Sequence, residues 1–166
     1  MFVDNNHALL EALGVKGDLD RLAERVQEYW ENLPEETNEQ LYPEVKNVLK
    51  TLTTKGIILG VVSNRLSGMS EKSLETHSIK RFFHCVIGPK ISGAPNGKNS
   101  PEMWQFALNT VGCKPEEVLH IDDEDETGIV GAKQAGIQPI LLDRKGMYTS
   151  YTDCILIHNL TEILDF

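Results

Sequence analysis

The chain has 166 residues, of which 40% are hydrophobic and 25% charged, and its formal net charge is −9 at pH 7. This composition is typical of a globular domain, and the negative charge argues against nucleic acid or an anionic membrane as a partner. No apolar run approaches the ~20 residues needed to span a bilayer. The three cysteines, Cys85, Cys113 and Cys154, are far apart, so we expect reduced thiols and a cytoplasmic protein.

The apolar pattern of the first forty residues predicts two helices joined as a hairpin, and no strand. A first helix has an apolar face and ends at Gly14, and a second covers residues 18–32 with apolar side chains at helical spacing. The acidic, polar stretch of residues 33–40 is predicted to connect this hairpin to the rest of the chain.

From Leu41 onward the pattern alternates between helix and strand. The predicted strands are residues 57–62, 84–87, 118–121, 139–142 and 154–157. A helix begins near Pro43, and others are predicted around residues 70–77, 102–111 and 132–135 and from Leu160. Strands that are apolar throughout are buried on both faces, which predicts a parallel sheet covered by helices.

Polar residues cluster at three places where this sheet would end. Ser63 and Asn64 follow the first strong strand, Lys98 precedes a Ser-Pro helix start, and five adjacent acids, residues 122–126, follow the strand 118–121. Taken singly, the first two clusters are typical of turns and solvated loops. Five adjacent acids repel one another, however, and a divalent cation relieves that repulsion.

Taken together, the three clusters predict a site for phosphoryl transfer, because functional groups collect at the carboxyl ends of parallel strands. A hydroxyl and backbone amides can hold a phosphoryl oxygen, and lysine supplies a compact positive charge. Carboxylates can hold Mg²⁺, which bridges to phosphate. Positioning and charge neutralisation supply most of the catalysis in such reactions.

Three segments resemble the second, third and fourth motifs of the haloacid dehalogenase-like (HAD) superfamily, in the same order: VVSNR at residues 61–65, GKNSPEMWQFAL at 97–108 and LHIDDEDETGIVGAKQAGI at 119–137. The resemblance implies an α/β fold with a Rossmann-like parallel sheet flanked by helices over residues 41–166, and a small helical cap at residues 1–40. It also implies a Mg²⁺-dependent phosphomonoesterase acting on a small phosphorylated metabolite. Ser63 and Asn64 would bind the phosphoryl group, Lys98 would steady nucleophile and phosphate, and Asp123 would help to hold Mg²⁺.

The fourth motif departs from the family pattern at two positions. The family has a second carboxylate five residues after the first, and here that position is Gly128. Asp122 stands where a glycine is usual. Glu126 or Asp125 could replace the missing carboxylate only with a shifted loop. The expected metal ligands are therefore Asp123, Asp122 and Glu126.

The family's first motif is a strand that ends in two aspartates, one residue apart, followed by a threonine; the first aspartate is the nucleophile. No strand with this ending precedes the helical hairpin, and Asp4 aligns better with an acid that follows the motif. We therefore expect the chain as given to be an incomplete or inactive hydrolase. The alternative is a non-catalytic relative that binds a phosphometabolite, a metal or a protein partner.

In the family, the strand of the first motif lies in the middle of the sheet, between the strands that end at Ser63 and Asp123. Without it, two buried edges lose their partners, at ~1–3 kcal/mol for each unpaired group. The two strands could pair directly, another segment could fill the position, or a second chain could supply it. Self-association through this unfilled position is thus one expectation.

Overall fold

The structure is a computed structural model that describes residues 2–31, 39–65, 68–94 and 96–166. The chain divides into two compact units, Met1–Glu39 and Gln40–Phe166. Most of the predicted connector, residues 33–40, lies outside the described residues. None of the described helices is both long enough and apolar enough to cross a bilayer.

The first unit is a pair of helices, α1 (Phe2–Ala12) and α2 (Leu19–Glu31). Gly14, with a φ of 70°, follows the end of α1, where a left-handed conformation is needed. Asn6 joins the helices through its side-chain amide, which donates to the carbonyl of Ala23 at 3.5 Å. Ala23 is fully buried between them. Both helices occupy the segments in which the apolar periodicity predicts them.

The second unit alternates helices and strands. Its strands are β1 (Gly60–Val62), β2 (Cys85–Ile87), β3 (Leu119–Asp122), β4 (Gln138–Leu142) and β5 (Ile155–Ile157). Its helices are α3 (Val45–Thr54), α4 (Met69–Thr76), the single turn α5 (Pro89–Ser92), α6 (Pro101–Val111) and α7 (Val130–Gln134), with a final 3₁₀ segment, Leu160–Asp165. Every strand pair is parallel. The predicted α/β fold with a parallel sheet flanked by helices is confirmed.

Two apolar clusters cover opposite faces of the strands. The first contains α3 and the final 3₁₀ segment, and its buried members are Val48, Leu52, Ile140, Ile157 and Ile163. The second contains α6 and α7, and its buried members are Trp104, Leu108, Ala132 and Ile137. Ile121 packs against the first cluster, whereas its neighbour His120 contacts Trp104 of the second. Because successive strand residues point to opposite faces, the clusters lie on opposite sides.

The strands form two sheets, β1-β2 and β3-β4-β5. Both sheets pack against the same clusters, Leu59 and Ile121 against the first and Val62 and Val118 against the second. The sheets therefore lie side by side in one layer, and among the described strands the hydrogen-bonded ladder is interrupted between β1 and β3. The sequence left three possibilities for the position between β1 and β3. The first of them, direct pairing of the two strands, does not occur among the described strands.

The strands are shorter than the apolar pattern predicts. The first was predicted over residues 57–62, but its ladder begins at Gly60, which pairs with Cys85 at the start of β2. Ile57 and Ile58 lie before this ladder and are 46% and 56% exposed. The short partner strand, rather than the apolar run, sets the strand length.

Candidate functional site

Lys98 connects the carboxyl ends of β1 and β3. It lies in a 3₁₀ turn, Gly97–Asn99, just before α6. Its backbone N–H donates to Oδ1 of Asn64, after β1, at 2.8 Å. Its Nζ donates to Oδ2 of Asp122, the last residue of β3, at 2.5 Å. The structure thus brings Asn64, Lys98 and Asp122 together at one edge of the strand layer.

Close packing fixes the backbone of Lys98. Its carbonyl accepts a hydrogen bond from Nε1 of Trp104 at 2.7 Å. Gly131 lies against the same carbonyl, since a Cβ on Gly131 would be 2.2 Å from it. Gly97 is equally close to Asn64, where a Cβ would lie 2.2 Å from Oδ1, and its φ is +56°. The backbone of Lys98 is therefore held in place by these contacts. A different binding partner can be reached only by rotating the side chain, which carries Nζ.

Ser63 adjoins this group on the β1 side. Its N–H donates to the carbonyl of Ile87 at 2.9 Å, which continues the β1-β2 ladder by one residue. Its Oγ accepts from the N–H of Arg65 at 3.1 Å, a local turn contact that leaves the hydroxyl proton available. Ser63 and Asn64 are both half-buried. Ser63 and Asn64 thus place hydroxyl and amide groups at the end of β1, and their predicted role in phosphoryl binding stays a prediction.

Asp122 is buried, and both of its carboxylate oxygens accept hydrogen bonds. Only 5% of its side chain is exposed. Its Oδ2 contacts Nζ of Lys98 at 2.5 Å and Nε2 of His120 at 2.9 Å, and its Oδ1 accepts from the N–H of Glu124 at 3.0 Å. Burial raises the pKa of Asp122, but the hydrogen bond from His120, the Lys98 charge and the Glu124 N–H together outweigh burial and lower the pKa to about 2.

The contact between Nε2 of His120 and Asp122 is not among the features predicted from the sequence. The ring lies edge-on to Trp104, with centroids 4.7 Å apart. The signal in the sequence was the two-residue period of a strand, which places His120 and Asp122 on the same face. The candidate site therefore includes a buried cluster of Lys98, Asp122 and His120.

The other acids of the run face different surroundings. Asp123 and Glu126 are exposed. Asp125 accepts a hydrogen bond from the Tyr151 hydroxyl at 2.5 Å, and Thr127 donates to Glu124 at 2.6 Å. The run also repeats the Asp-x-Asp-x-Thr order of the first HAD motif at Asp123, Asp125 and Thr127. Since Asp125 and Thr127 already bond within their surroundings, this order alone does not mark a second site.

The residues present do not fit a complete magnesium site. Lys98 already neutralises the Asp122 carboxylate, which would have to give up this partner to bind a cation. Gly128 has no side chain, and a Cβ there would lie 2.1 Å from Oδ2 of Asp122. Within the described ranges, no three His, Cys, Asp or Glu side chains are grouped to hold a metal ion. Asp123 and Glu126 remain as exposed carboxylates.

Comparison with solved structures shows where this fold recurs. A HAD phosphatase from Thermococcus onnurineus superposes with a TM-score of 0.71 at 19% identity, over 99% of this chain and 87% of that one. The HAD-hydrolase YfnB from Bacillus subtilis, described as bound to magnesium, gives 0.69 at 21% identity, over 96% of this chain and 68% of that one. At these identities the likeness shows a shared fold.

Sequence comparison adds the family. A phosphoglycolate phosphatase of Aquifex aeolicus is 34% identical over 100 residues, 60% of this chain and 46% of that protein. The chain spans about half the length of the curated relatives it matches. The model of the family described as haloacid dehalogenase-like hydrolase matches residues 3–142. The chain therefore belongs to the haloacid dehalogenase-like hydrolase family.

Proposed function

We propose that this chain carries the phosphate-binding part of a phosphomonoesterase that acts on a small phosphorylated metabolite. The observation that supports this most directly is the position of Lys98, whose charged side chain lies at the carboxyl ends of β1 and β3 beside the polar turn Ser63-Asn64. The Aquifex aeolicus relative, a phosphoglycolate phosphatase, is named for a substrate of this class.

Each of these residues has a distinct part in the proposal. Ser63 would donate its hydroxyl proton to a phosphoryl oxygen, and Asn64 would hold the Lys98 backbone through the 2.8 Å bond to its N–H. Lys98 would offset the negative charge that develops on the transferred group, which is the largest contribution a protein makes to phosphoryl transfer. We do not assign the nucleophile to a residue of this chain.

Mg²⁺ is the cofactor expected from the family resemblance, but the residues present do not form a complete site for it, so no step of the proposal depends on it. Asp123 and Glu126 are the exposed carboxylates at the end of β3 that could contribute ligands. Asp122 is left out of the ligand set because its carboxylate is bonded to Lys98 and His120.

A second candidate function is phosphate binding without turnover. The ion pair between Lys98 and Asp122 favours it, because a lysine neutralised by a buried acid is less available to a substrate. Both candidates share the phosphate site and differ in whether a bond to phosphorus is broken.

Lys98→Met tests the shared site. Removing this charge should weaken the binding of inorganic phosphate at least about tenfold, since a charged hydrogen-bond donor to phosphate is lost. Isothermal titration calorimetry with inorganic phosphate measures the dissociation constant. Phosphoglycolate hydrolysis in the presence of Mg²⁺, followed by released phosphate, then separates a phosphatase from a non-catalytic binder.

Lys133→Met is the matched control. Lys133 is a partly exposed lysine that forms one ion pair, with Asp153 at 3.7 Å, and it lies in α7. Its replacement removes the same charge without touching the proposed site, so phosphate affinity should change less than about twofold. Circular dichroism shows whether both proteins are folded. If the folded wild-type protein and the folded Lys98→Met variant bind phosphate with equal affinity, the proposed phosphate site is wrong.

A further inference from the structure

The buried cluster of Lys98, Asp122 and His120 limits what Lys98 can bind. The side chains of Lys98 and Asp122 are 11% and 5% exposed, and their charged atoms are 2.5 Å apart. Removal from water strengthens the direct attraction between these two charges, because the local dielectric is low. A phosphate that approaches Lys98 must therefore compete with a carboxylate already in place.

The position of Asp122 depends on Gly128. A Cβ on Gly128 would lie 2.1 Å from Oδ2, 2.2 Å from Cγ and 2.7 Å from Cβ of Asp122. Any side chain at position 128 would therefore displace the Asp122 carboxylate from Lys98. Gly128 is buried, and its φ lies outside the left-handed region, so the backbone itself does not demand glycine there. The close approach of Asp122 is what excludes a larger residue.

The backbone of Lys98 cannot move away to relieve this competition. Its N–H is bonded to Asn64, its carbonyl is bonded to Trp104, and Gly131 packs against that carbonyl. A change of partner must therefore occur at Nζ, by rotation of the side chain. Lysine suits such an exchange, because its ammonium group is a compact charge on a flexible stem.

We propose that Asp122 is a positioning residue that withholds Lys98 from phosphate, and that Gly128 is the complementary residue that makes room for it. The inference rests on the proposed phosphate site and adds a built-in competitor to that site. In the resting arrangement Asp122 neutralises Lys98, and a phosphoryl group binds only when it displaces that carboxylate from Nζ.

Asp122→Asn tests the competition directly. The amide keeps the shape of the side chain but removes its charge, so inorganic phosphate should bind about tenfold more tightly than to the wild-type protein. The measurement is isothermal titration calorimetry in magnesium-free buffer, so that no metal contributes. Unchanged or weaker binding by the folded variant would overturn the inference.

Gly128→Ala provides a second route to the same result, in case Asp122→Asn fails to fold. The added methyl group should push the carboxylate away from Lys98 and also tighten phosphate binding. Glu124→Gln is the matched control, because Glu124 is an exposed acid of the same run and glutamine can still accept the hydrogen bond from Thr127. Its affinity should stay within about twofold of the wild-type value.

Lys98→Met in the Asp122→Asn background distinguishes this role from a purely structural one. The gain in affinity should vanish in the double variant, because the freed lysine is its cause. If the wild-type protein binds phosphate and Asp122→Asn binds no better, the inference is wrong and the phosphate site stands. If none of these proteins binds phosphate, the proposed site is wrong and the inference fails with it.

Discussion

Asp122 illustrates how one buried side chain can determine the identity of several others. Its carboxylate accepts from Lys98, His120 and the Glu124 backbone, and it lies against Gly128. An acid at this depth destabilises the fold unless donors surround it. These donors stabilise the ionised carboxylate of Asp122 in the folded protein.

The stability of the protein should fall in acid because of Asp122. Its pKa in the folded state is about 2, below the usual 3.8, so its contribution is complete above about pH 4 and is lost as the pH falls towards 2. The shift corresponds to about 2 kcal/mol of unfolding free energy. Urea denaturation of the wild-type protein and Asp122→Asn between pH 6 and pH 2 measures this contribution.

Other acids also titrate in this range, since backbone hydrogen bonds outweigh burial at Asp143 and lower its pKa, and backbone hydrogen bonds lower that of Glu162. The difference in unfolding free energy between the wild-type protein and Asp122→Asn isolates the Asp122 term. This difference should shrink towards pH 2. A difference that stays constant over the whole range would show that Asp122 is not preferentially ionised in the folded state.

At the residue scale, the sequence could predict which residue types gather at the sheet edge but not which acid would pair with Lys98. Strand order places Asn64, Lys98 and the acidic run at one edge, because carboxyl ends of parallel strands coincide. Choosing Asp122 over Asp123 required knowing that β3 extends through residue 122, where the side chain meets Lys98 and His120. A shift of one residue in that strand end would reverse the choice.

At the scale of elements, an ion pair ties the loop after β4 to the start of α3. The Arg144 guanidinium donates to Oε1 of Glu44 at 2.5 Å and lies 3.7 Å above the ring of Tyr42. The two charged side chains are 16% and 13% exposed. Because the partners are a hundred positions apart in sequence, no local pattern could reveal this contact.

Replacing Arg144 should loosen this connection. Arg144→Lys keeps the charge but loses the planar group that both donates to Glu44 and stacks on Tyr42, so the free energy of unfolding should fall by about 1–2 kcal/mol. Chemical denaturation measures the loss. Lys80→Arg is the control: its pair with Glu75 is exposed to solvent, so this substitution should change the free energy of unfolding far less. Equal effects of the two substitutions would show that the Arg144 contact adds nothing beyond a surface pair.

The lengths of elements were harder to predict than their order. Each predicted strand of the second unit is present, but β1, β2 and β5 are three residues long. The final predicted helix is a 3₁₀ segment, Leu160–Asp165. An apolar run reports that a segment is buried, whereas the ladder length depends on the partner strand, which a single segment does not reveal.

At the scale of the whole molecule, the interruption between β1 and β3 should be visible in amide exchange. β4 has a hydrogen-bonded strand on each side, whereas β1 and β3 each have one such neighbour among the described strands. Backbone amides of β4 should therefore exchange more slowly with deuterium than those of β1 and β3. Hydrogen–deuterium exchange with mass spectrometry or NMR gives these rates.

The same experiment tests the self-association that the sequence leaves open. If a second copy supplies the missing partner, protection of β1 and β3 should rise with protein concentration, and sedimentation should show a dimer. Leu119, which opens β3 and is 47% exposed, would become covered. Strong protection of β1 and β3 in a dilute monomer would instead mean that the interruption is closed within one chain.

The interrupted ladder also has a mechanical consequence. Within each sheet, sliding one strand along its neighbour breaks backbone hydrogen bonds. Across the β1–β3 boundary, such shear is opposed among the described residues by side-chain packing in the two apolar clusters and by the two hydrogen bonds of Lys98. We therefore expect the second unit to be stiffer within each group of strands than between the two groups. Lys98 spans the boundary between them, so a small relative displacement of the two groups changes the geometry around its ammonium group first.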